Sequence, residues 1–211
     1  MEASLCPWYK EAESIDAPLL QGELVYSCPI LVPSKNNYDQ IDDPPVFVDD
    51  YDVIIMSQSC DLDPKQCQLE QVVVSAFDSP PAYFSKPEYK NMFNSGWMEG
   101  LRTGRKFDFC LLNKCPGSDF FPADYLIVDF CNVFSVPHEV VLRAAKKGRR
   151  IQLQSPYREY LSQAFARFFM RVGFPDEGEI PKFTETWPEL ESPWKKAIEE
   201  LKSAEITNRG P

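Results

Sequence analysis

The chain has 211 residues, and its 32 acidic against 22 basic side chains give a formal net charge of −10 at pH 7. With 44% hydrophobic residues it can bury one core, or a core with an extension. The acidic balance argues against nonspecific binding of duplex nucleic acid over the whole surface. The apolar runs are too short to span a bilayer, and residues 1–4 lack the basic start of a secretory signal. The sequence therefore predicts a cytoplasmic protein with no membrane partner.

Apolar runs bounded by turn residues indicate strands. The predicted strands cover 22–32, 52–58, 71–77, 107–112 and 125–133. The first is interrupted near Cys28-Pro29, where proline favours an edge or a bulge, and residues 33–50 have the Pro, Asn and Asp content of a loop. Short strands at this spacing favour a small barrel over βαβ units. The predicted fold class is mainly β with α, a small β-barrel with C-terminal helices and an inserted region at 79–106.

Helical spacing is clearest at 156–172, where Ser155 is a good N-cap and Gly173 suits a left-handed C-terminal residue. Its apolar face includes Leu161, Phe165 and Phe168. We expect this face to share one core with the inward residues of the strands, Val53, Ile55, Val72, Val74 and Ile127. Shorter helices are predicted at 86–98, inside the inserted region, and at 193–204.

These elements divide the chain into three predicted parts. Residues 1–19 form an N-terminal extension, and 20–175 form the barrel with its packed C-terminal helix. Residues 176–211 form a Pro-rich connector followed by an amphipathic helix, which we expect to dock on the barrel.

Seven cysteines in a chain predicted to be intracellular favour free and mostly buried thiols. Their spacing is not that of a zinc knuckle, so we predict no metal site. The sequence contains no motif that calls for a cofactor.

Basic residues are concentrated in one segment. Between 143 and 171 eight lysines and arginines face a single glutamate, whereas 39–63 holds eight aspartates and no basic residue. The segment is either the solvated face of a helix with its approach loop or a patch that meets an acidic partner or a phosphate backbone. The predicted partner-binding residues are Arg143, Lys146, Lys147, Arg149, Arg150 and Arg158.

Over about residues 20–175 the order of elements resembles the MazF/PemK-like toxin barrel. The opening Gly22-Glu23-Leu24 is similar to that family's first strand, and the strands at 52–58 and 71–77 follow in its order. Residues 125–150 and the helix after them are similar to its last strand, basic loop and C-terminal helix. The resemblance implies an SH3-like barrel, a homodimer, and a role in a bacterial toxin–antitoxin-like or anti-phage, CRISPR-associated defence system. The stretch Gln58-Ser59-Cys60-Asp61-Leu62 also resembles uncharacterised bacterial proteins.

The resemblance implies endoribonuclease chemistry, but the matching positions carry different residues. The family places an arginine before the second strand and a threonine or serine after the third, where this chain has Tyr51 and Asp78. Metal-free RNA cleavage needs a base for the 2′-hydroxyl and a cation for the phosphorane. Tyr51 removes the cation and Asp78 adds repulsion. Arg102 or Arg105, in the inserted region, is the substitute that the sequence offers.

Cys60 and Asp61 give a second chemical hypothesis. A thiol on a turn after a strand is a nucleophile when a base lowers its pKa, and His138 is the single histidine. The alternative is that Cys60 is a small buried residue and that Asp61 bonds its own turn. Further polar candidates on the strands are Asp129, Asn132 and Asn113. The alternative is that these side chains satisfy backbone groups at the rim of the barrel.

The candidates for catalysis are thus Cys60, Asp61, Asp78, Arg105 and His138. Since none of them rebuilds the family's catalytic pair, we predict that ribonuclease chemistry is lost. The chain is then a binding or regulatory component, whose partner is another protein with an acidic surface. The alternative is a diverged metal-independent endoribonuclease that cleaves single-stranded RNA.

Overall fold

A computed structural model describes residues 6–33, 46–63, 69–87, 89, 95–115 and 120–170. By internal contacts the chain divides into two compact units, Met1–Arg171 and Val172–Pro211, and the described residues all lie in the first. The strands are β1 (Tyr9–Glu11), β2 (Glu23–Pro33), β3 (Val46–Ile55), β4 (Gln71–Asp78), β5 (Phe109–Leu112), β6 (Leu126–Pro137) and β7 (Ile151–Leu153). The helices are α1 (Pro80–Ser85), α2 (Ser95–Arg102), α3 (His138–Ala145) and α4 (Tyr157–Phe169).

The seven strands form one antiparallel sheet in the order β1-β7-β2-β3-β4-β6-β5. Its edge strands β1 and β5 do not pair, so the sheet is open. The two edges are linked by side chains instead. The Tyr9 hydroxyl donates to the Asn113 carbonyl at 2.8 Å, and a disulfide joins Cys6 to Cys115 with their Cα atoms 5.8 Å apart. The mainly β prediction is confirmed.

The sheet has an apolar core on each face, because neighbouring side chains of a strand point to opposite sides. Ile54 belongs to a cluster that draws residues from all seven strands and includes Leu161 of α4. Val53 and Ile55 belong to a second cluster, covered by α3. The predicted single core is therefore wrong: Val53, Ile55, Val72 and Val74 pack against α3 rather than α4. Ile127 lies in a third cluster with α1 and α2.

Several element boundaries differ from the sequence prediction. β3 begins at Val46 instead of 52, because its first half pairs with β2 in a register that reaches Pro33↔Val46. The predicted helix at 86–98 is present only at its end, since Lys86 caps α1 with an extended backbone and α2 begins at Ser95. β1, α3 and β7 lie in segments where the sequence predicted an extension or a loop.

The predicted helix at 156–172 is present as α4, which ends at Phe169, and its N-cap is Pro156 rather than Ser155. Leu161 is its one fully buried side chain, whereas Phe165 is half-buried. The predicted cap at Gly173, the helix at 193–204 and the part at 176–211 lie outside the described residues. Within the described ranges no helix is both long and apolar enough to cross a membrane.

Candidate functional site

A bulge in β6 sets the geometry of the most polar region of the sheet. Asp129 lies opposite Ala76 of β4, while Val133 lies opposite Ser75, so three residues of β6 have no partner between them. Such a bulge bends its strand and re-aims side chains. The Ser75 hydroxyl fixes the bend by donating to the Asp129 carbonyl at 2.8 Å. The bulge therefore brings Asp129 and Asn132 to one cleft.

This cleft, called the acidic cleft below, has a volume of ≈ 830 Å³ and crosses the sheet from β3 over β4 to β6. The residues that line it include Asp49, Asp50, Tyr51, Asp52, Asp78, Lys86, Tyr89, Asp129 and Asn132. Five carboxylates thus surround one described cation. Since like charges converge in a concave site, the cleft concentrates a negative potential.

Asp129 is the buried centre of the cleft, with 3% of its surface exposed. Its carboxylate accepts hydrogen bonds from the Cys131 backbone N–H at 2.9 Å and from Asn132 Nδ2 at 2.7 Å. The Tyr89 hydroxyl is 3.4 Å from the second oxygen. None of the ion pairs found among the described residues involves Asp129. The charge is therefore held by neutral donors, which leaves its attraction for an incoming cation uncompensated.

The single cation of the lining is already engaged. Lys86 Nζ lies 2.6 Å from Asp78 Oδ2 and 5.7 Å from the centre of the Tyr83 ring. Tyr83 is fully buried and stacks on Tyr89 with ring centres 4.3 Å apart. Burial and the charge of Asp129 raise the pKa of the Tyr83 hydroxyl well above its ordinary value, so it stays protonated. Tyr83 therefore packs behind Tyr89, and only the Tyr89 ring of this pair is among the residues found to line the cleft.

Asp52 has a perturbed acidity. Desolvation raises the pKa of its carboxyl, and the charge of Asp78 raises it further. The Ser27 backbone N–H opposes these effects by donating to Asp52 Oδ1 at 2.9 Å. Ser27 is positioned for this bond by the β2 bulge, where its φ is +49°. A cation in the cleft would favour the charged form of Asp52 and so oppose this rise of its pKa.

Asp52→Asn is expected to stabilise the fold at neutral pH. Because the folded pKa is raised, the stability contributed by Asp52 is present at low pH and is lost as the pH rises through that folded pKa. At pH 7 the variant should unfold with a free energy about 0.5 kcal/mol higher than that of the wild type, a small effect because the site is wet. Urea titrations from pH 7 down to pH 4 should show this difference shrinking. A difference that grows as the pH falls would contradict the assignment.

The two positions matched to the family's catalytic residues, Tyr51 and Asp78, both line the acidic cleft. The other catalytic candidates lie elsewhere. His138 starts α3, where its backbone N–H donates to the Glu70 carbonyl at 2.9 Å, and it lines a separate cavity of ≈ 490 Å³. Arg105 is exposed, and its Nε donates to Thr103 Oγ1 at 3.0 Å. The structure therefore does not bring Asp78, Arg105 and His138 into one site.

Cys60 is exposed, so the prediction that it is a small buried residue is wrong. Its Sγ lies 3.7 Å from Gln58 Oε1 and 3.5 Å from Asp61 Oδ1. The Asp61 backbone N–H closes the turn on the Gln58 carbonyl at 3.0 Å, as predicted for a residue that bonds its own turn. Both of these neighbours of the thiol are side-chain oxygen atoms, and His138 lines a separate cavity with Glu70 and Arg143, so the structure shows no Cys60–His138 pair. The turn therefore lacks the features of an activated nucleophile.

The prediction of free cysteines is wrong for Cys6 and Cys115, which form the disulfide between the sheet edges. Spacing cannot reveal such a pair, because 109 positions separate its members. Cys28 and Cys110 are free and buried, and burial raises the pKa of Cys28 to about 11 and that of Cys110 to about 12. In the part of the chain that the structure describes, no three His, Cys, Asp or Glu side chains converge as a metal site.

Arg150 of the predicted partner-binding segment lies inside the fold, with 3% of its surface exposed. Its guanidinium binds both carboxylate oxygens of Glu23, at 2.6 and 2.8 Å. It also donates to the backbone carbonyls of the loop before β2, those of Ser14, Ile15, Ala17 and Pro18. Arg150 therefore has a structural role, and the prediction that it binds a partner is wrong because its side chain is buried.

Most of the remaining cations of that segment already have contacts within the chain. Lys146 Nζ is 2.7 Å from Asp16 Oδ1, and this bond lowers the pKa of Asp16. The Arg149 guanidinium lies 4.6 Å from the centre of the Phe120 ring. Arg158 pairs with Glu159 at 2.8 Å. Arg143, Lys147 and Arg149 are exposed, and none of the ion pairs found among the described residues involves them.

Sequence reasoning named Asp129, Asn132, Tyr51 and Asp78 but missed the cleft that unites them. One signal was available: Asp49, Asp50 and Asp52 belong to the stretch 39–63, which holds eight aspartates and no basic residue. Nothing in the sequence around Lys86 and Tyr89 predicts that they belong to the site. They follow α1, and the tertiary structure brings them beside the strands that form the cleft. In comparisons with models of protein families, with curated proteins and with solved structures, the chain matches none of them.

Proposed function

We propose that the chain is a macromolecule-binding protein that holds a cationic segment of another protein in the acidic cleft. The observation that carries the proposal is the lining itself, five carboxylates with one lysine that is already paired to Asp78. A lysine- or arginine-rich segment would complete the hydrogen bonding of these carboxylates. The net negative charge of the chain would also increase the rate at which such a basic segment associates with it.

The same lining argues against RNA as the ligand. A phosphate at Asp78 would face a carboxylate, with Asp129 behind it, and the cleft has no arginine among its described residues. A phosphorane intermediate needs compensating positive charge, which Lys86 alone provides and only by leaving Asp78. The geometry thus supports the hypothesis that ribonuclease chemistry is lost.

The resemblance to the MazF/PemK-like family supplies the setting of this proposal. Tyr51 and Asp78, at the positions that match the family's catalytic pair, lie in the cleft, so binding would occupy the surface where that family cuts RNA. In this reading the sheet is a diverged, opened form of the SH3-like barrel. The chain would serve as the protein-binding component of a toxin–antitoxin-like or anti-phage system.

The partner expected from the structure has the opposite charge to the one predicted from the sequence. The sequence predicted a partner with an acidic surface that meets the basic segment. Since Arg150, Lys146 and Arg158 each pair with a carboxylate of the chain, half of the segment's six predicted cations are already compensated. The exposed excess is negative and lies at the cleft, so a basic partner fits better.

Titration with an eight-residue lysine peptide tests the proposal. Binding should be measurable at low salt and should weaken as salt rises, because exposed charges are screened. Replacing Asp49 and Asp50 with asparagine should weaken binding about tenfold, since each exposed charge contributes up to about 1 kcal/mol. The matched control replaces the exposed Glu11 and Glu13 with glutamine, which changes net charge equally but lies outside the cleft lining.

Equal losses of affinity in the two double variants would mean that the peptide responds to the net charge of the protein alone. That result would contradict a binding site in the cleft. The ribonuclease alternative is checked with the same protein by incubating mixed single-stranded RNA in EDTA. Discrete cuts that disappear in Asp78→Asn or Lys86→Ala would contradict the loss of RNA chemistry.

A further inference from the structure

Two strands of the sheet each leave part of one edge without a strand partner among the described residues. β2 pairs with β7 at Glu23 and Leu24 only, so its other edge is unpaired from residue 28 onward among the described strands. β6 pairs with β5 along 126–129, so its edge at 133–137 is likewise unpaired within the described ranges. About half of the backbone groups of such an edge point outward without a strand partner.

These two edges line the same groove. The groove has a volume of ≈ 450 Å³, and its walls include residues 29–31 of β2 and 133–137 of β6. Consecutive residues of a strand point to opposite faces, so a wall made of consecutive residues is the edge of the strand rather than one of its faces. The groove is thus a seam between two sheet edges, called the β2–β6 seam below.

The seam is apolar and carries no charge. None of its described lining residues is ionisable. At its margin Leu31 is 70% exposed and Val48 is 66% exposed. Proteins usually protect an unpaired edge with lysine, proline or a covering loop. Of these devices the lining has only Pro29 and Pro137, at the ends of the two edge segments.

We propose that the β2–β6 seam takes an extended, uncharged and partly apolar segment of a partner protein, which adds to the sheet as a strand. Backbone bonds to the two edges would supply affinity, and alternate side chains would enter the apolar groove or face water. The uncharged lining selects against a charged peptide, because a buried charge would lack a partner. A second copy of this chain is disfavoured by its net charge of −10.

An added strand would connect β6 to β2 and complete a barrel of the strands β2, β3, β4 and β6. The seam and the acidic cleft share no lining residue, although they are neighbours: Pro29 and Ile30 of the seam pair with Asp50 and Asp49 of the cleft. This inference therefore stands whether or not the cleft binds a cationic segment.

The test screens a displayed library of random 12-residue peptides for binding to the full-length protein. Peptides that also bind the Leu31→Lys variant are removed in a counter-selection. We expect enrichment of peptides with alternating uncharged apolar residues. For a selected peptide, Leu31→Lys should raise the Kd at least tenfold, and Phe47→Lys should leave it unchanged. Phe47 is 58% exposed on the same hairpin but does not line the seam, so it is the matched control. N-methylation of alternate backbone amides in the peptide should abolish binding, because those bonds are lost.

Amide hydrogen exchange on the full chain then locates the site. Binding should slow exchange at the amides of 30–31 and 133–136 and leave those of Asp78 and Asp129 in the cleft unchanged. No enrichment, or enrichment of charged peptides, would overturn the proposal. Slow exchange at both edges before any peptide is added would also overturn it, since another segment of the chain or a second copy would then already cover the seam. Size measurement in the same buffer separates these two occupants.

Discussion

Arg150→Ala is expected to lower the free energy of unfolding by about 3–5 kcal/mol, the cost of leaving a buried charge without its partner. Glu23 is fully buried and bonds Arg150 through both carboxylate oxygens. After the substitution it would keep only Gln152 Nε2 at 3.2 Å and the Leu20 backbone N–H at 3.3 Å. The loop at 14–18 would also lose the donors that hold its carbonyls.

Urea unfolding of Arg150→Ala and of Arg149→Ala measures this effect with a matched control. Arg149 is exposed and contacts the Phe120 ring, so its loss should cost about 1 kcal/mol or less. A double variant, Arg150→Met with Glu23→Leu, should recover much of the stability, because both buried charges disappear together. Equal small losses in the two single variants would contradict the buried position of Arg150.

Phe130→Ala is expected to cost about 3–5 kcal/mol, the usual range for removing a buried aromatic side chain. Phe130 is 1% exposed in the cluster shared by all seven strands. Its ring centre lies 5.2 Å from that of Phe165 and 6.0 Å from that of Phe168, so it joins the sheet to α4. The substitution leaves a cavity at this junction, and the neighbouring bulge at Asp129 would lose support.

Thermal and urea unfolding of Phe130→Ala, compared with Phe169→Ala, measure the importance of that packing. Phe169 is also on α4 and is 60% exposed, so its removal should cost under about 1 kcal/mol. If Phe130→Ala cost no more than the control, α4 would be peripheral to the core. The cluster that contains Phe130 and Leu161 would then not form a core between the sheet and α4.

The sequence predicted the long strands because their apolar residues recur locally, as Val53 to Met56 and Val72 to Val74 do. It missed β1 and β7 because each has three residues, too few to show a period. The first half of β3 was assigned to a loop because residues 33–50 as a whole have the Pro, Asn and Asp content of a loop. Pairing with β2 over a distant register makes it a strand, and local propensity cannot show such pairing.

The site was harder to predict than the fold, because charge in a sequence does not reveal which charges are paired. Arg149 and Arg150 are neighbours, yet one is exposed and the other binds Glu23, 127 positions away. Asp129 and Asn132 attracted notice as polar residues in a strand, but only the bulge brings them to face Asp78 and Lys86. Long-range contacts of this kind are why we propose an acidic binding site where the sequence predicted a basic one.

Mapping the bound lysine peptide on the ¹⁵N-labelled full-length chain tests the central claim most directly. We predict that backbone amide shifts change in a saturable way at Asp50, Asp52, Asp78 and Asn132, and that these changes fade as salt is raised. The basic residues Arg143 and Lys147, which lie outside the cleft lining, should not respond. Shift changes spread over the acidic residues of the whole surface, or confined to sites away from the cleft, would contradict the account.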